Sequence, residues 1–228
     1  MAIYSKIILF TLTGLFISYS SAQTNISWKE HIIDDSSVGP PDLAGSDGLV
    51  MADLDKDGHL DIVSVHELDT EYGVPEGYVR IAWGSQDPLE WTSTTLASGS
   101  EAPSAEDVDV ADADGDGWLD IVVACELAHL IYFQNPGKNH RSVRWERTVP
   151  KSTLNRGSFI RVFFSDLDGD GRVEVVTANK GGENASGSDS PLNNVSFYKL
   201  PQNPINGNEW EEVVLSLIHI SEPTRPMN

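Results

Sequence analysis

The distribution of apolar and polar residues along the chain predicts strands rather than helices. Short apolar runs at residues 48–52, 61–65 and 78–83 are separated by gaps rich in Gly, Pro and Asn, and a fourth run opens at Trp91. No long stretch has the helical period. Because the same succession of four runs recurs twice more, the pattern predicts an all-β protein of antiparallel four-stranded units.

An acidic loop lies between the first and second run of each unit. The three loops share the pattern Asp-x-Asp-x-Asp-Gly-x-x-Asp, with Glu at the ninth position of the last, and they begin at Asp53, Asp112 and Asp166. The starts of the loops are therefore 59 and 54 residues apart. A repeat of this length with four short strands is typical of a β-propeller blade. We therefore predict blades at about residues 47–97, 105–150 and 158–214.

The segment before the first unit predicts a latch strand. Trp28-Lys-Glu-His-Ile-Ile repeats the pattern that opens the fourth run of each unit at Trp91, Trp145 and Trp210. The first, second and third runs of such a unit do not precede it. We therefore interpret it as the outer strand of a closing blade, whose partner strands would follow residue 216. The predicted fold is an incomplete arc of three propeller blades plus this N-terminal latch, with the recurring tryptophans packed inside the blades.

The acidic loops have the residue types and spacing of a calcium site. Asp at positions 1, 3 and 5 turns three carboxylates inward, Gly at position 6 permits the sharp turn, and the acid at position 9 closes the shell. All-oxygen ligation with several carboxylates suits Ca²⁺, so we predict about three calcium sites. The predicted side-chain ligands are Asp53, Asp55, Asp57, Asp61, Asp112, Asp114, Asp116, Asp120, Asp166, Asp168, Asp170 and Glu174, and His59, Trp118 and Arg172 would contribute backbone carbonyls.

Two features refine this prediction. An EF-hand would need an acid at position 12, where the three loops have Ser64, Val123 and Thr177, so that alternative fails. In the third loop Glu174 replaces Asp, and we expect this site to bind calcium more weakly than the other two. The Arg172 side chain should point to solvent.

The two ends of the chain predict segments outside the propeller. Lys6, the apolar run 7–17 and a small-residue site ending at Ala22 predict a signal peptide, 1–22, that is cleaved after Ala22. The apolar run is shorter than the ~20 residues of a membrane-spanning helix, so we expect a secreted protein, extracellular or periplasmic. Residues 215–225, LSLIHISEPTR, resemble a translated sequencing adapter, so we expect 215–228 to belong to no complete blade.

Composition narrows the classes of partner. The formal net charge of −20 at pH 7 excludes nucleic acid and anionic lipid, because both would be repelled. The single cysteine, Cys125, excludes an intrachain disulfide, and its place after an apolar run predicts a buried free thiol. Three sequons, at Asn25, Asn184 and Asn194, would be glycosylation acceptors in a eukaryotic source.

These loops and strands resemble the FG-GAP/VCBS repeat family, whose blades carry the same acidic motif between the first and second strands. The resemblance extends from Trp28 to about Val214 and includes integrin-α-like propellers and the family's secreted bacterial branch. It implies calcium at the acids named above and a ring of about seven blades. It implies no activity, because the family includes adhesion modules, lyase-type enzymes and proteins of undefined role.

The end of each second strand, opposite the acidic loops, carries the candidates for other chemistry. His66, Cys125 and Asn179 fall at equivalent positions, and inserts at 67–77 and 180–193 lengthen that face. His66 and Glu67 could form an acid/base pair, although a His and a Glu that merely end a strand are the simpler interpretation. Trp118 could stack on a sugar or act as a hydrophobic plug beside the ion.

We therefore expect a binding or scaffolding module for carbohydrate or an extracellular protein, without catalysis and monomeric at full length. The alternative is a polysaccharide lyase or dehydratase whose active site further blades complete. A convergence of His, Tyr, Arg and Lys on the insert-bearing face would favour the enzyme. Aromatic shelves without titratable pairs would favour binding.

Overall fold

The computed structural model describes residues 28–68, 75–126, 128–154, 156–181 and 193–218. The chain divides into two compact units, residues 1–31 and 32–228, and every strand below belongs to the second. Regular structure in the described ranges consists of strands and two short 3-10 turns, and no helix there is long and apolar enough to span a membrane. The predicted signal peptide, the middle of both inserts and residues 219–228 lie outside these ranges.

The described strands form three antiparallel sheets of four strands each, and the order of strands in each sheet follows the chain. Sheet one contains β1 (Ser46–Ala52), β2 (Asp61–Glu67), β3 (Gly77–Trp83) and β4 (Thr92–Gly99). Sheet two contains β5 (Ala105–Ala111), β6 (Asp120–Cys125), β7 (Leu130–Gln134) and β8 (Glu146–Thr148). Sheet three contains β9 (Phe159–Ser165), β10 (Glu174–Asn179), β11 (Asn193–Lys199) and β12 (Glu211–Ile218). The predicted four-stranded antiparallel units are confirmed.

The sheets pack against one another in chain order through their first strands, β1 on β5 and β5 on β9. Strand β6 is buried on both faces. Ile121, Val123 and Cys125 belong to the apolar cluster shared with sheet one, whereas Val122 and Ala124 belong to the cluster shared with sheet three. Because successive side chains of a strand point to opposite faces, the unbroken apolar run reflects a strand with a neighbouring sheet on each side.

The recurring tryptophans pack less uniformly than predicted. Trp145 and Trp210 are buried, and the Trp210 ring meets the Tyr132 ring edge-on at 5.9 Å, which joins sheets two and three. Trp91 is only half-buried and Trp28 is exposed, so the prediction that all four lie inside blades was wrong. In sheet one the buried indole is Trp83, which ends β3 inside the cluster that also holds Trp145.

The ends of the described chain depart from the predicted boundaries. Residues 28–45 carry no strand, so the latch stays a prediction. Strand β12 continues to Ile218 and pairs with β11 through Leu217 and Ile218, so the expectation that the tail joins no complete sheet was wrong for residues 215–218. An outer strand is specified mainly by backbone hydrogen bonds to its neighbour, which almost any sequence can supply.

Polar side chains also join neighbouring sheets. Asp107 and Asp109 of β5 accept the backbone N–H groups of Val162 and Phe164 of β9, at 3.0 and 2.7 Å. These bonds satisfy amide groups on the free edge of the first strand of sheet three, which would otherwise lack a strand partner. The contact therefore sets the register of sheet three against sheet two.

Asn135 makes the corresponding connection between sheets two and one. Its side chain is 2% exposed and donates N–H bonds to the carbonyls of Leu54 and Leu119, each at 3.1 Å. Its side-chain oxygen accepts the N–H of Gly137 at 3.0 Å. Since Leu54 is the second residue of the first acidic loop, this side chain ties that loop directly to sheet two.

Candidate metal centres

The three acidic loops are the hairpins between the first and second strands of the sheets. They join β1 to β2, β5 to β6 and β9 to β10, and will be called loops one, two and three. The strand pairs that close them are Ala52–Asp61, Ala111–Asp120 and Ser165–Glu174. The loops therefore occupy the same place in all three sheets, as the repeat predicted.

Each loop has two positions with left-handed backbone. At position 6 the glycine φ values are 90°, 90° and 88° in loops one, two and three, which explains why this position needs glycine. At position 4 loops two and three also have glycine, with φ values of 79° and 76°. Loop one has Lys56 there at φ 60°, and its ammonium group lies 4.4 Å from the centre of the Trp118 ring.

In each loop three acidic side chains converge, with carboxylate oxygens that lie within 4.8 Å of one another. The members come from positions 1, 3 and 5 in loops one and two, and from positions 1, 3 and 9 in loop three. The three sets are Asp53, Asp55 and Asp57; Asp112, Asp114 and Asp116; and Asp166, Asp168 and Glu174. Asp170, a predicted ligand, is not in the third set.

Backbone N–H groups within each loop hold carboxylates in place. In loop one Asp53 accepts the N–H of Gly58 at 3.1 Å and Asp57 accepts that of His59 at 2.8 Å. The same two bonds, from positions 6 and 7 to positions 1 and 5, recur at 3.0 and 2.8 Å in loop two and again at 3.0 and 2.8 Å in loop three. Every loop is thus closed by its own carboxylates.

In loop one the acid at position 9 braces the base of the hairpin. Asp61 is fully buried, and its two carboxylate oxygens accept the N–H groups of Leu54 and Gly84, each at 2.9 Å. Burial raises the pKa of Asp61, whereas these two bonds lower it. Asp61 lies outside the carboxylate set, so the structure does not bring this predicted ligand together with positions 1, 3 and 5.

Asp120 has the same role in loop two. Its carboxylate accepts N–H bonds from Ala113 at 3.2 Å and Asn135 at 2.8 Å, and the Tyr132 hydroxyl donates to it at 2.6 Å. Burial raises the pKa of Asp120 to about 7, even though the bonds from Tyr132 and Asn135 lower it. This acid too is separate from the carboxylate set of its loop.

In loop three the longer side chain of Glu174 both braces the base of the hairpin and joins the carboxylate set. One of its oxygens accepts the N–H of Leu167 at 2.9 Å, which is the counterpart of the bond from Leu54 to Asp61. Its carboxylate also reaches within 4.8 Å of those of Asp166 and Asp168. The extra methylene group therefore brings position 9 into the set.

The position 3 carboxylate of every loop has a side-chain partner from outside the loop. In loops two and three the partner is the residue that ends the third strand of the same sheet, Gln134 at 2.5 Å or Lys199 at 3.0 Å. In loop one the partner is Arg141 of sheet two, which donates to Asp55 from Nε at 3.1 Å and also from Nη2. Loop one is therefore bonded to a neighbouring sheet at this position.

Arg172, at position 7 of loop three, is exposed as expected, but its guanidinium group also bonds to the protein. Its Nη2 group donates to the carbonyls of Leu200 and Pro201, at 3.3 and 3.0 Å. These carbonyls follow the end of β11, and the guanidinium group has enough donors to satisfy both. The side chain thus ties loop three to its own sheet.

Trp118, at position 7 of loop two, is half-buried between other groups. Its ring lies 6.1 Å from the ring of His140 and under the ammonium group of Lys56. A Cβ atom added to Gly137 would lie 3.2 Å from the Trp118 Nε1 atom. These contacts favour the hydrophobic plug over an open platform for a sugar.

The donor sets fit a hard divalent cation. Each set offers three carboxylates and no sulfur or imidazole, which is the chemistry of a Ca²⁺ site, and Ca²⁺ tolerates variable geometry at ~2.3–2.6 Å. Burial raises the pKa of Asp116, the N–H bond from Trp118 lowers it, and the neighbouring Asp114 and Asp112 raise it again. Positions 1, 3 and 5 of loops one and two, and positions 1, 3 and 9 of loop three, would hold the ion.

The residues that end the second strands are buried rather than presented to a ligand. His66, Cys125 and Asn179 are 5%, 0% and 5% exposed. The Nε2 atom of His66 lies 3.0 Å from the Ser64 hydroxyl, and burial lowers the pKa of His66. Glu67 is the next residue of β2, so its side chain points to the opposite face and the two do not form an acid/base pair on one surface.

Sequence reasoning missed one acidic cluster at this end of the sheets. Asp47, Glu67 and Glu106, from β1, β2 and β5, have carboxylate oxygens within 4.8 Å of one another. Burial raises the pKa of Glu106, and Asp47 and Glu67 raise it further, against the Arg161 guanidinium at 3.7 Å. No motif links these residues, because only the packing of sheet one on sheet two brings them together.

One comparison with known proteins finds a similar repeat. The model of the FG-GAP-like repeat family matches residues 53–123, which run from the start of loop one into β6 and include loop two. No curated protein matches the chain. Over residues 53–123 the chain is therefore similar to the FG-GAP-like repeat family.

Proposed function

We propose that the three sheets are blades of a calcium-binding β-propeller, and that it serves outside the cell as a binding or scaffolding module for carbohydrate or protein. The observation that carries this proposal is the convergence of three carboxylates at the same hairpin of every sheet. Bound calcium would supply the positive charge that these carboxylates lack. It would thereby hold each hairpin closed above the blade.

The residues at the end of the sheets opposite the loops favour a binding role over catalysis. The candidate base His66 is buried and its ring nitrogen is engaged by Ser64, so it is poorly placed to take a proton from a substrate. Propeller loops above rigid sheets are suited to present a recognition surface. FG-GAP-like repeats are typically extracellular, and calcium sites of extracellular modules have Kd values of about 10⁻⁴–10⁻³ M.

Binding and catalysis can be separated by one assay. In calcium the full chain should be retained on an immobilised polysaccharide or on an immobilised extracellular matrix protein. The soluble polysaccharide should keep its length and form no unsaturated ends after incubation with the protein, because no acid/base pair is presented to it. Chain shortening or ultraviolet absorbance from new double bonds would support the lyase instead.

Calcium should raise the thermal stability of the full chain. An ion that binds only the folded state stabilises it by RT ln(1 + [L]/Kd), about 2.7 kcal/mol per site at a hundredfold excess over Kd. The measurement is the Tm in EDTA, in calcium and in magnesium at equal ionic strength. Magnesium should have a smaller effect, because it demands more regular geometry. A Tm that is unchanged by calcium would refute the metal assignment.

Asp57→Asn should weaken loop one without disturbing its fold. The amide oxygen of Asn can still accept the N–H of His59, but one of three converging charges is lost, so we expect about a tenfold or greater rise in Kd at this loop. Asp87→Asn is the matched control, because Asp87 accepts the N–H of Leu89 at 2.9 Å in an exposed turn outside the loops. Calorimetric calcium titration should separate the two variants, and equal affinities would contradict the assignment.

Glu174→Asp should weaken loop three. The shorter side chain can still brace the N–H of Leu167, but it would withdraw from the carboxylates of Asp166 and Asp168 that it now reaches. We expect calcium affinity at loop three to fall about tenfold, since affinity follows the number of charged ligands. The exposed Glu209→Asp is the control for the change of residue type. Tighter binding by Glu174→Asp would mean that glutamate hinders the site.

A further inference from the structure

The position 3 acid of loop one is much more enclosed than the position 5 acid of the same loop. The Asp55 side chain is 4% exposed, against 38% for Asp57. Two groups of sheet two cover it, the Arg141 guanidinium and the His140 ring, whose Nε2 atom lies 3.6 Å from the same Asp55 oxygen. The carboxylate that would face an ion in loop one is thus already bonded across the boundary between two sheets.

Arg141 makes two further contacts with sheet one. Its Cζ atom lies 4.9 Å from the centre of the Trp83 ring in β3, and its Nη2 atom lies 3.8 Å from Asp57. The His140 ring beside it lies 5.3 Å from the Trp83 ring, and its Nδ1 atom is 2.8 Å from the carbonyl of Gly137. Both side chains therefore dock the segment 140–141 of sheet two onto sheet one.

We infer that Arg141 and the cation compete for Asp55, so that calcium occupancy of loop one is coupled to the docking of sheet two on sheet one. The inference rests on the calcium binding proposed above and specifies how it is regulated. A guanidinium group stays positively charged at all physiological pH values, so it repels a divalent cation, and here it also occupies one of the two oxygens of the Asp55 carboxylate. Each then lowers the other's affinity for Asp55 by the same factor, as linkage requires.

Loop one differs in this respect from the other two. The position 3 acids of loops two and three are bonded by Gln134 and Lys199, which belong to the same sheet as the loop that they contact. Displacement of either partner would leave the contact between sheets unchanged. Among the described residues, the coupling between an ion site and a neighbouring sheet through a position 3 acid is therefore confined to loop one.

The test compares Arg141→Gln with the parent in EDTA and in saturating calcium. In EDTA the variant should have a lower Tm, because it loses the bond to Asp55. In calcium the loss should shrink or vanish, because the ion has already displaced the guanidinium group. The midpoint of the calcium titration at loop one should fall by about five- to tenfold, within the usual range of coupling between two sites.

Arg144→Gln is the matched control. Arg144 lies three residues after Arg141 and donates to both oxygens of Glu101 at 2.8 Å, away from the loops. Its substitution should lower the Tm equally in EDTA and in calcium and leave the titration midpoint unchanged. Arg141→Lys, which keeps the charge but loses the second N–H donor to Asp55, should have a midpoint at loop one between those of the parent and Arg141→Gln.

The outcomes separate this inference from the function on which it rests. If calcium does not change the Tm of the parent protein, the proposed function itself is refuted. If the parent responds to calcium but Arg141→Gln lowers the Tm equally in both conditions, or weakens calcium binding, then Arg141 does not compete with the ion and the inference is overturned. A smaller loss in calcium together with a tighter loop one confirms it.

Discussion

The structure depends on central strands that are buried on both faces. In β6 alternate residues contact sheet one and sheet three, so sheet two has no solvent-facing side along this strand. A small sheet of this kind is stable only against its neighbours, because an isolated one would expose half of its apolar surface. The acidic hairpins lie at the ends of the strand pairs that make these contacts. The packing of the sheets therefore fixes the position of each loop.

Repulsion between the converging carboxylates is the second constraint, and two kinds of contact oppose it in every loop. Carboxylates that converge within 4.8 Å repel one another, and the backbone N–H groups of positions 6 and 7 oppose this repulsion from inside the loop. A partner from outside the loop opposes it at position 3. The kind of partner differs, from the neutral amide of Gln134 to the cations of Lys199 and Arg141, so equal motifs have unequal electrostatic surroundings.

Position 9 illustrates how a repeated motif can have different roles. The acid there is also the first residue of the second strand, and the pleat of that strand directs its side chain toward the base of the hairpin. Asp61 and Asp120 therefore brace backbone amides, and only the longer Glu174 reaches the carboxylate set as well. Glu174 departs from the Asp of the motif by one methylene group, and this extra group extends the reach of its side chain.

The sequence by itself determined the all-β class, the four-stranded units and the identity of the acidic loops, because strand periodicity and a repeated Asp and Gly spacing are local properties. It also located the buried thiol of Cys125, since an apolar run on both sides of a strand marks a core. The tertiary structure alone decided that Arg141 meets Asp55 and that Asp47, Glu67 and Glu106 converge. These contacts join residues of different sheets, and no local pattern records which side chains two packed sheets will bring within a few ångströms of each other.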